Sequence, residues 1–112
     1  MDIAPWLSQL RKGAAELAVL AALDSKDLYG LELLEVVNSQ QDLVSEGAIY
    51  PLLSRLEKEG KLMSRWELED SSHPRKYYRL TKDGRALLIA MRAAWTDFRK
   101  AMSTLVELRD EP

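Results

Sequence analysis

The chain has 112 residues, 46% of them hydrophobic and 30% charged, with a formal net charge of −2. That is one domain's length, enough for one core, with a composition near the soluble globular average and no bulk basic signal. The lack of cysteine excludes disulfides, thiolate metal sites and cysteine nucleophiles, and a single histidine, His73, leaves little for imidazole chemistry. No segment reaches the ~18–20 apolar residues of a membrane span, since the longest apolar stretch, 14–23, is short and holds Glu16. The N-terminus carries Asp2, with no leading basic cluster and no cleavable apolar core. A soluble, cytoplasmic protein without a membrane partner is therefore expected.

The first helix is predicted over 10–23. Leu10, Ala14, Leu17, Ala18 and Ala21 recur at helical spacing, and Val19, Leu20, Ala22 and Leu23 widen that face. Gly13 inside it suggests close backbone packing. Residues 24–27 are a polar break, with Asp27 a candidate cap for the next helix. That second helix is predicted over 28–39, with Leu28, Leu31, Leu34 and Val37 three apart. Residues 39–42 form a polar turn. Ser45 is an N-cap and Glu46 adds first-turn negative charge, although Ala48 leaves the capping box incomplete. The third helix runs from there to Gly60, a natural stop, with Ile49, Leu52, Leu53 and Leu56 inward. Pro51 inside it either bends or tightens the first turn.

The apolar period then falls to two, and a β-hairpin is predicted over 62–81 around the turn-forming run Asp70-Ser71-Ser72-His73-Pro74. Thr81 caps a last helix over 82–109. Leu87 or Leu88, Met91, Trp95, Phe98, Met102, Leu105 and Leu108 make a nearly heptad seam along it. The expected fold is mainly α with a small β-hairpin wing: a winged helix–turn–helix over residues 1–81 and a long last helix with a coiled-coil-like seam over 82–112.

Catalysis finds no support. His73 has no partner constellation and reads as a solvated turn residue. Glu57 and Glu59, two apart on a helix, face different ways; Glu67 and Glu69 lie on a solvated hairpin. There is no phosphate loop or nucleophile motif, so no enzyme, cofactor or metal is expected.

Local charge points elsewhere. Residues 55–85 hold nine basic and six acidic side chains, a net of +3, against seven basic and twelve acidic elsewhere. Phosphate binding depends on where charge sits rather than on its total. In a helix–turn–helix the second helix offers its first turn to base edges. Here that turn carries Ser45, Glu46, Gly47, Ala48 and Tyr50. Ser45 and Tyr50 can donate hydrogen bonds, and Gly47 and Ala48 admit close approach. Arg55 can reach the backbone, and Arg75, Lys76 and Arg79 lie on the wing. Tyr50 reads equally well as a core aromatic. A protein-interaction module that has lost DNA binding is the alternative, which the basic wing disfavours.

Five blocks occur in order: Leu10-Arg11-Lys12-Gly13, Leu28-Tyr29-Gly30, Ser45-Glu46-Gly47-Ala48-Ile49-Tyr50-Pro51, Arg55-Leu56-Glu57-Lys58-Glu59-Gly60 and Pro74-Arg75-Lys76-Tyr77-Tyr78-Arg79-Leu80-Thr81. Together they resemble the PadR family of bacterial transcriptional regulators, in a short form with one C-terminal dimerisation helix. The resemblance implies a homodimer that binds a double-stranded DNA operator. It also implies repression and, in some members, release by a small aromatic or drug-like effector. The family commonly has Thr where this chain has Ala48, which leaves Ser45, Tyr50 and Arg55 as the main candidates on the reading helix. The dimer interface is expected at Leu88, Met91, Trp95, Phe98, Met102 and Leu105. An effector pocket is expected at Met91, Trp95 and Phe98.

Overall fold

A computed structural model describes residues 1–68 and 73–107. Its elements run α1 (Ala4–Ala22), β1 (Leu28–Tyr29), α2 (Gly30–Val37), α3 (Glu46–Lys58), β2 (Leu62–Glu67), β3 (Arg75–Leu80) and α4 (Lys82–Val106). The three strands are antiparallel in the order β1-β3-β2. This is the expected winged helix–turn–helix with a long last helix. The predicted turn residues Asp70, Ser71 and Ser72, and Leu108 of the seam, lie outside the described residues.

One apolar core holds the head together. Val19 and Leu20 of α1, Leu33 of α2, Ile49, Leu53 and Leu56 of α3, Leu62 of β2 and Leu88 of α4 are fully buried in it. At ~1.5–3 kcal/mol for each fully buried large aliphatic side chain, this cluster dominates the stabilisation.

Four local expectations need correction. First, α1 starts at Ala4 rather than at residue 10. Asp2 accepts the N–H of Ala4 at 2.9 Å, and Pro5 supplies a helical φ in the first turn. Periodicity alone missed this start because Ile3, Trp6 and Leu10 are exposed, with no core beneath them. Gly13 is exposed too, and a Cβ there would meet nothing within 4 Å, so no tight packing requires it.

Second, Leu28 and Tyr29 are a strand rather than helix. They pair with Tyr78 and Tyr77 of β3. Two residues carry no period, and the pairing is supplied by a strand fifty residues away. Starting at Gly30, α2 turns Leu33 and Val37 inward and leaves Leu31 exposed. Third, Asp27 does not cap α2. The Tyr29 N–H is instead satisfied by the Glu32 carboxylate at 3.2 Å, while Asp27 pairs with Arg65 and, at 3.9 Å, Arg79. Fourth, Leu88 of the predicted interface belongs to the chain's own core. The first two turns of α4 lie on the head, so the free part of the seam starts later.

Other expectations hold. The Ser45 hydroxyl accepts the N–H of Ala48 at 3.1 Å, and the Thr81 hydroxyl accepts that of Gly84 at 3.0 Å. Gly60 ends α3 at φ 77°, with the Lys61 N–H on the Leu56 carbonyl and its own N–H on the Glu57 carbonyl. That pair of bonds is the Schellman pattern, which favours glycine. As for Pro51, α3 continues through it unbroken.

Candidate nucleic-acid interface

Between α2 and α3 the chain turns on one side chain. The Asn38 carbonyl oxygen accepts the N–H groups of Leu43 (2.9 Å) and Val44 (3.0 Å), while its amide donates to the Val44 carbonyl (2.8 Å). This closed set of bonds sets where α3 begins. Ile49, Leu53 and Leu56 then anchor the inner face of α3, and its outer face is presented.

Ser45, Glu46, Gly47 and Ala48 are all exposed at the start of that helix. Accepting the Ala48 N–H leaves the Ser45 hydroxyl proton to donate outward. A Cβ on Gly47 would meet nothing within 4 Å, so the fold does not require glycine there. An uncovered first turn in which Ser45, Gly47 and Ala48 are small suits close approach by a groove, with the exposed Glu46 carboxylate the one group there that opposes an anion.

Tyr50 is neither a core residue nor a free one. It is 46% exposed, and its ring lies across Gly30, where a Cβ would fall 2.8 Å from Cε1 and 2.9 Å from the hydroxyl. The first residue of α2 thus makes room for the side chain that α3 presents.

The basic side chains fall into separate groups. Arg55 points toward α1, where Glu16 holds its guanidinium at 2.7 Å, and Glu59 at the end of α3 holds it at 3.1 Å; these bonds raise its pKa further. On β3, side chains alternate across the sheet. Arg75 stacks 4.5 Å from the Tyr29 ring centroid, and Arg79 reaches Asp27, on the face shared with Tyr29 and Tyr77. Lys76 lies on the opposite face, 3.5 Å from Glu57 of α3 and over the rings of Trp66 and Tyr78. Burial there pushes the Tyr78 phenol up from its ordinary pKa. The predicted contacts therefore frame α3 on two flanks rather than forming one patch. Exposed ion pairs of this kind are worth ~0–1 kcal/mol, so a phosphate can replace the carboxylate at little cost.

Sequence reasoning missed Ser54 and Lys58, which are exposed on α3. With Gly47 and Tyr50 they follow one another three or four apart, so helical spacing could have found them. Trp66 on β2 was also passed over.

Past the head, α4 leaves Trp95, Phe98, Met102 and Leu105 between 41% and 81% exposed. The Trp95 and Phe98 ring centroids are 6.3 Å apart. Met91 is half-buried against the core and lines a groove between α1, the α2–α3 turn, α3 and α4; neither Trp95 nor Phe98 lines that groove. Among the described residues no helix is long and apolar enough to cross a membrane.

Comparison with known proteins agrees with this architecture. Residues 19–90 match the transcriptional regulator PadR-like family. The transcriptional regulator Rv3488 of Mycobacterium tuberculosis is 32% identical over 88 residues, which span 79% of this chain and 81% of that protein. The crystal structure of a PadR family transcriptional regulator from Eggerthella lenta is 31% identical, with a TM-score of 0.81 and coverage of 96% of this chain and 94% of that one. A PadR-like transcriptional regulator from Bacillus cereus is 30% identical, with a TM-score of 0.80 and coverage of 90% and 99%. These relatives are regulators rather than enzymes, in keeping with a site built of caps, small residues and basic side chains. The chain belongs to the PadR-like family of transcriptional regulators.

Proposed function

We propose that the protein is a homodimeric repressor that binds a double-stranded DNA operator in the cytoplasm. The open first turn of α3, with its small side chains and the basic wing beside it, carries this reading. Ser45, Gly47, Ala48 and Tyr50 meet the major groove, while Arg55, Arg75, Lys76 and Arg79 exchange their carboxylate or ring partners for phosphates. Residues 1–81 serve as the reading head and 82–112 as the dimerisation arm, anchored by Gly84 and Leu88.

Two observations support the dimer. The radius of gyration is 16.7 Å, against ~13 Å for a compact 100-residue domain, so the arm projects. Among the described residues nothing buries the seam of Met91, Trp95, Phe98, Met102 and Leu105 beyond the half-burial of Met91, and a second copy is the simplest cover. A flat aromatic effector fits between the paired seams at Met91, Trp95 and Phe98, where it would change the spacing of the heads and release DNA.

Selection from random duplex DNA by the purified protein tests the reading. An enriched two-fold motif with half-sites one helical turn apart, bound steeply more weakly as salt rises, is expected. Recovery of no motif, together with no gel shift at low salt, would refute it.

A further inference from the structure

Trp66 is 66% exposed on β2. It stands opposite Lys76 in the β2–β3 register, and the Lys76 ammonium lies 5.9 Å from its ring centroid. The same ammonium sits 5.6 Å from the Tyr78 ring and 3.5 Å from the Glu57 carboxylate of α3. Glu57 in turn accepts the Ser64 hydroxyl at 2.5 Å. Strand alternation places Ser64, Trp66, Lys76 and Tyr78 on one face of the wing, and Glu57 ties that face to α3. A strip of aromatic and basic side chains therefore leads outward from the flank of the reading helix.

The strip is amphipathic. An indole offers a large apolar face and a single Nε1–H donor, a combination suited to lying against deoxyribose while donating to the adjacent phosphate. The ammonium beside it supplies the charge that such a surface requires. The wing, 62–81, carries four basic and three acidic side chains, and the cation that sits beside the indole, Lys76, is the local charge that favours a polyanion.

We infer that Trp66 and Lys76 form one composite clamp on the DNA backbone flanking the major-groove site, the indole against the sugar and the ammonium, released from Glu57, on the phosphate. This rests on the DNA-binding reading above and adds a positioning residue to it. In the free protein Glu57 holds the ammonium in place; on DNA it is the competitor that must let go.

The test compares wild type, W66A, W66F, K76A and E57Q for binding to the selected operator duplex at stepped salt, with dimer state and melting temperature measured in parallel. W66A should weaken binding about tenfold, equivalent to losing a modest buried apolar area, and leave the salt slope unchanged because an indole displaces no counterion. K76A should lower the slope by about one. E57Q should tighten binding, and W66F should recover part of the loss. The tryptophan emission of the wild type should shift on adding operator, and the part of that shift due to Trp66 should be missing in W66F, which keeps the test decisive if W66A folds poorly. Unchanged W66A affinity, or an emission shift that W66F retains in full, overturns the clamp while wild-type binding stands. Failure of the wild type to bind any duplex overturns the underlying reading instead.

Discussion

Asn38 offers the sharpest test of how this head is held together. Replacing it with Ala removes one acceptor serving two backbone N–H groups and one donor serving a carbonyl, all within 2.8–3.0 Å and part-buried. A typical internal hydrogen bond contributes ~1 kcal/mol net, and a buried group left unpaired costs ~1–3 kcal/mol. Water can reach part of this turn, so three lost bonds amount to about 2–4 kcal/mol. For a domain near 100 residues that corresponds to a fall of about 10–20 °C in melting temperature. Asn38→Asp separates the components: the carboxylate still accepts from Leu43 and Val44 but faces the Val44 carbonyl without a proton, so about half the loss is expected. Thermal unfolding followed by circular dichroism at fixed protein concentration reads both variants, since the melting point of the proposed dimer would depend on concentration. If Asn38→Ala melts within about 3 °C of wild type, the turn is held by something else and the reasoning fails.

Other substitutions separate stability from DNA binding. Gly30→Ala pushes a Cβ into the Tyr50 ring at 2.8 Å; the ring should swing away, weakening operator binding in a gel shift while the melting temperature changes little. Gly47→Ala meets open space and should stabilise the helix by ~0.5–1 kcal/mol in urea unfolding, yet weaken operator binding through the added methyl. Gly84→Ala sets a Cβ 1.9 Å from the Lys61 carbonyl oxygen, a backbone atom that cannot step aside. A loss of ~1–3 kcal/mol is expected in the same assay, despite the better helix propensity of alanine. The Asp24 carboxyl is held below its ordinary pKa by hydrogen bonds from Arg92 and then Arg85. A depressed folded pKa adds stability above the ordinary carboxylate range and forfeits it as pH falls through and below that range. Acid titration of Asp24→Asn, followed by melting temperature, should therefore show a shallower decline below pH ~4 than wild type.

Much of this architecture is local and so was readable in the sequence. The inner face of α3, its Ser45 cap, its Gly60 stop and the Thr81 cap each follow from residue type and spacing within a few positions. What escaped depends on distant partners. No window around Leu28 contains Tyr78, and none around Asp27 contains Arg65. The three bonds of Asn38 reach five and six residues ahead, into a segment with no period of its own. Charge along the sequence points to Arg55 but not to Glu16, the acid that turns it toward α1. Trp66 escaped for a related reason: alternation marks it as a strand residue, and only the packed wing shows that its face stays open.

The junction between head and arm constrains how any signal can travel. The Gly60 carbonyl accepts the Thr81 hydroxyl at 2.6 Å, the Lys61 carbonyl accepts the Thr81 N–H at 3.1 Å, and Gly84 lies flat against the same peptide. One short segment thereby ties the end of α3, the root of the wing and the start of α4. On the far side, Arg85 and Arg92 both grip Asp24 at the end of α1, at 2.7 and 3.2 Å. With backbone contact on one flank and paired guanidinium groups on the other, the first turns of α4 move with the head as one body. In the proposed dimer, a ligand at Trp95 and Phe98 would therefore have little purchase on the internal shape of the reading helix. Its leverage would lie in the crossing of the two seams, where a small rotation would be carried along each arm into a larger change in the separation of the heads.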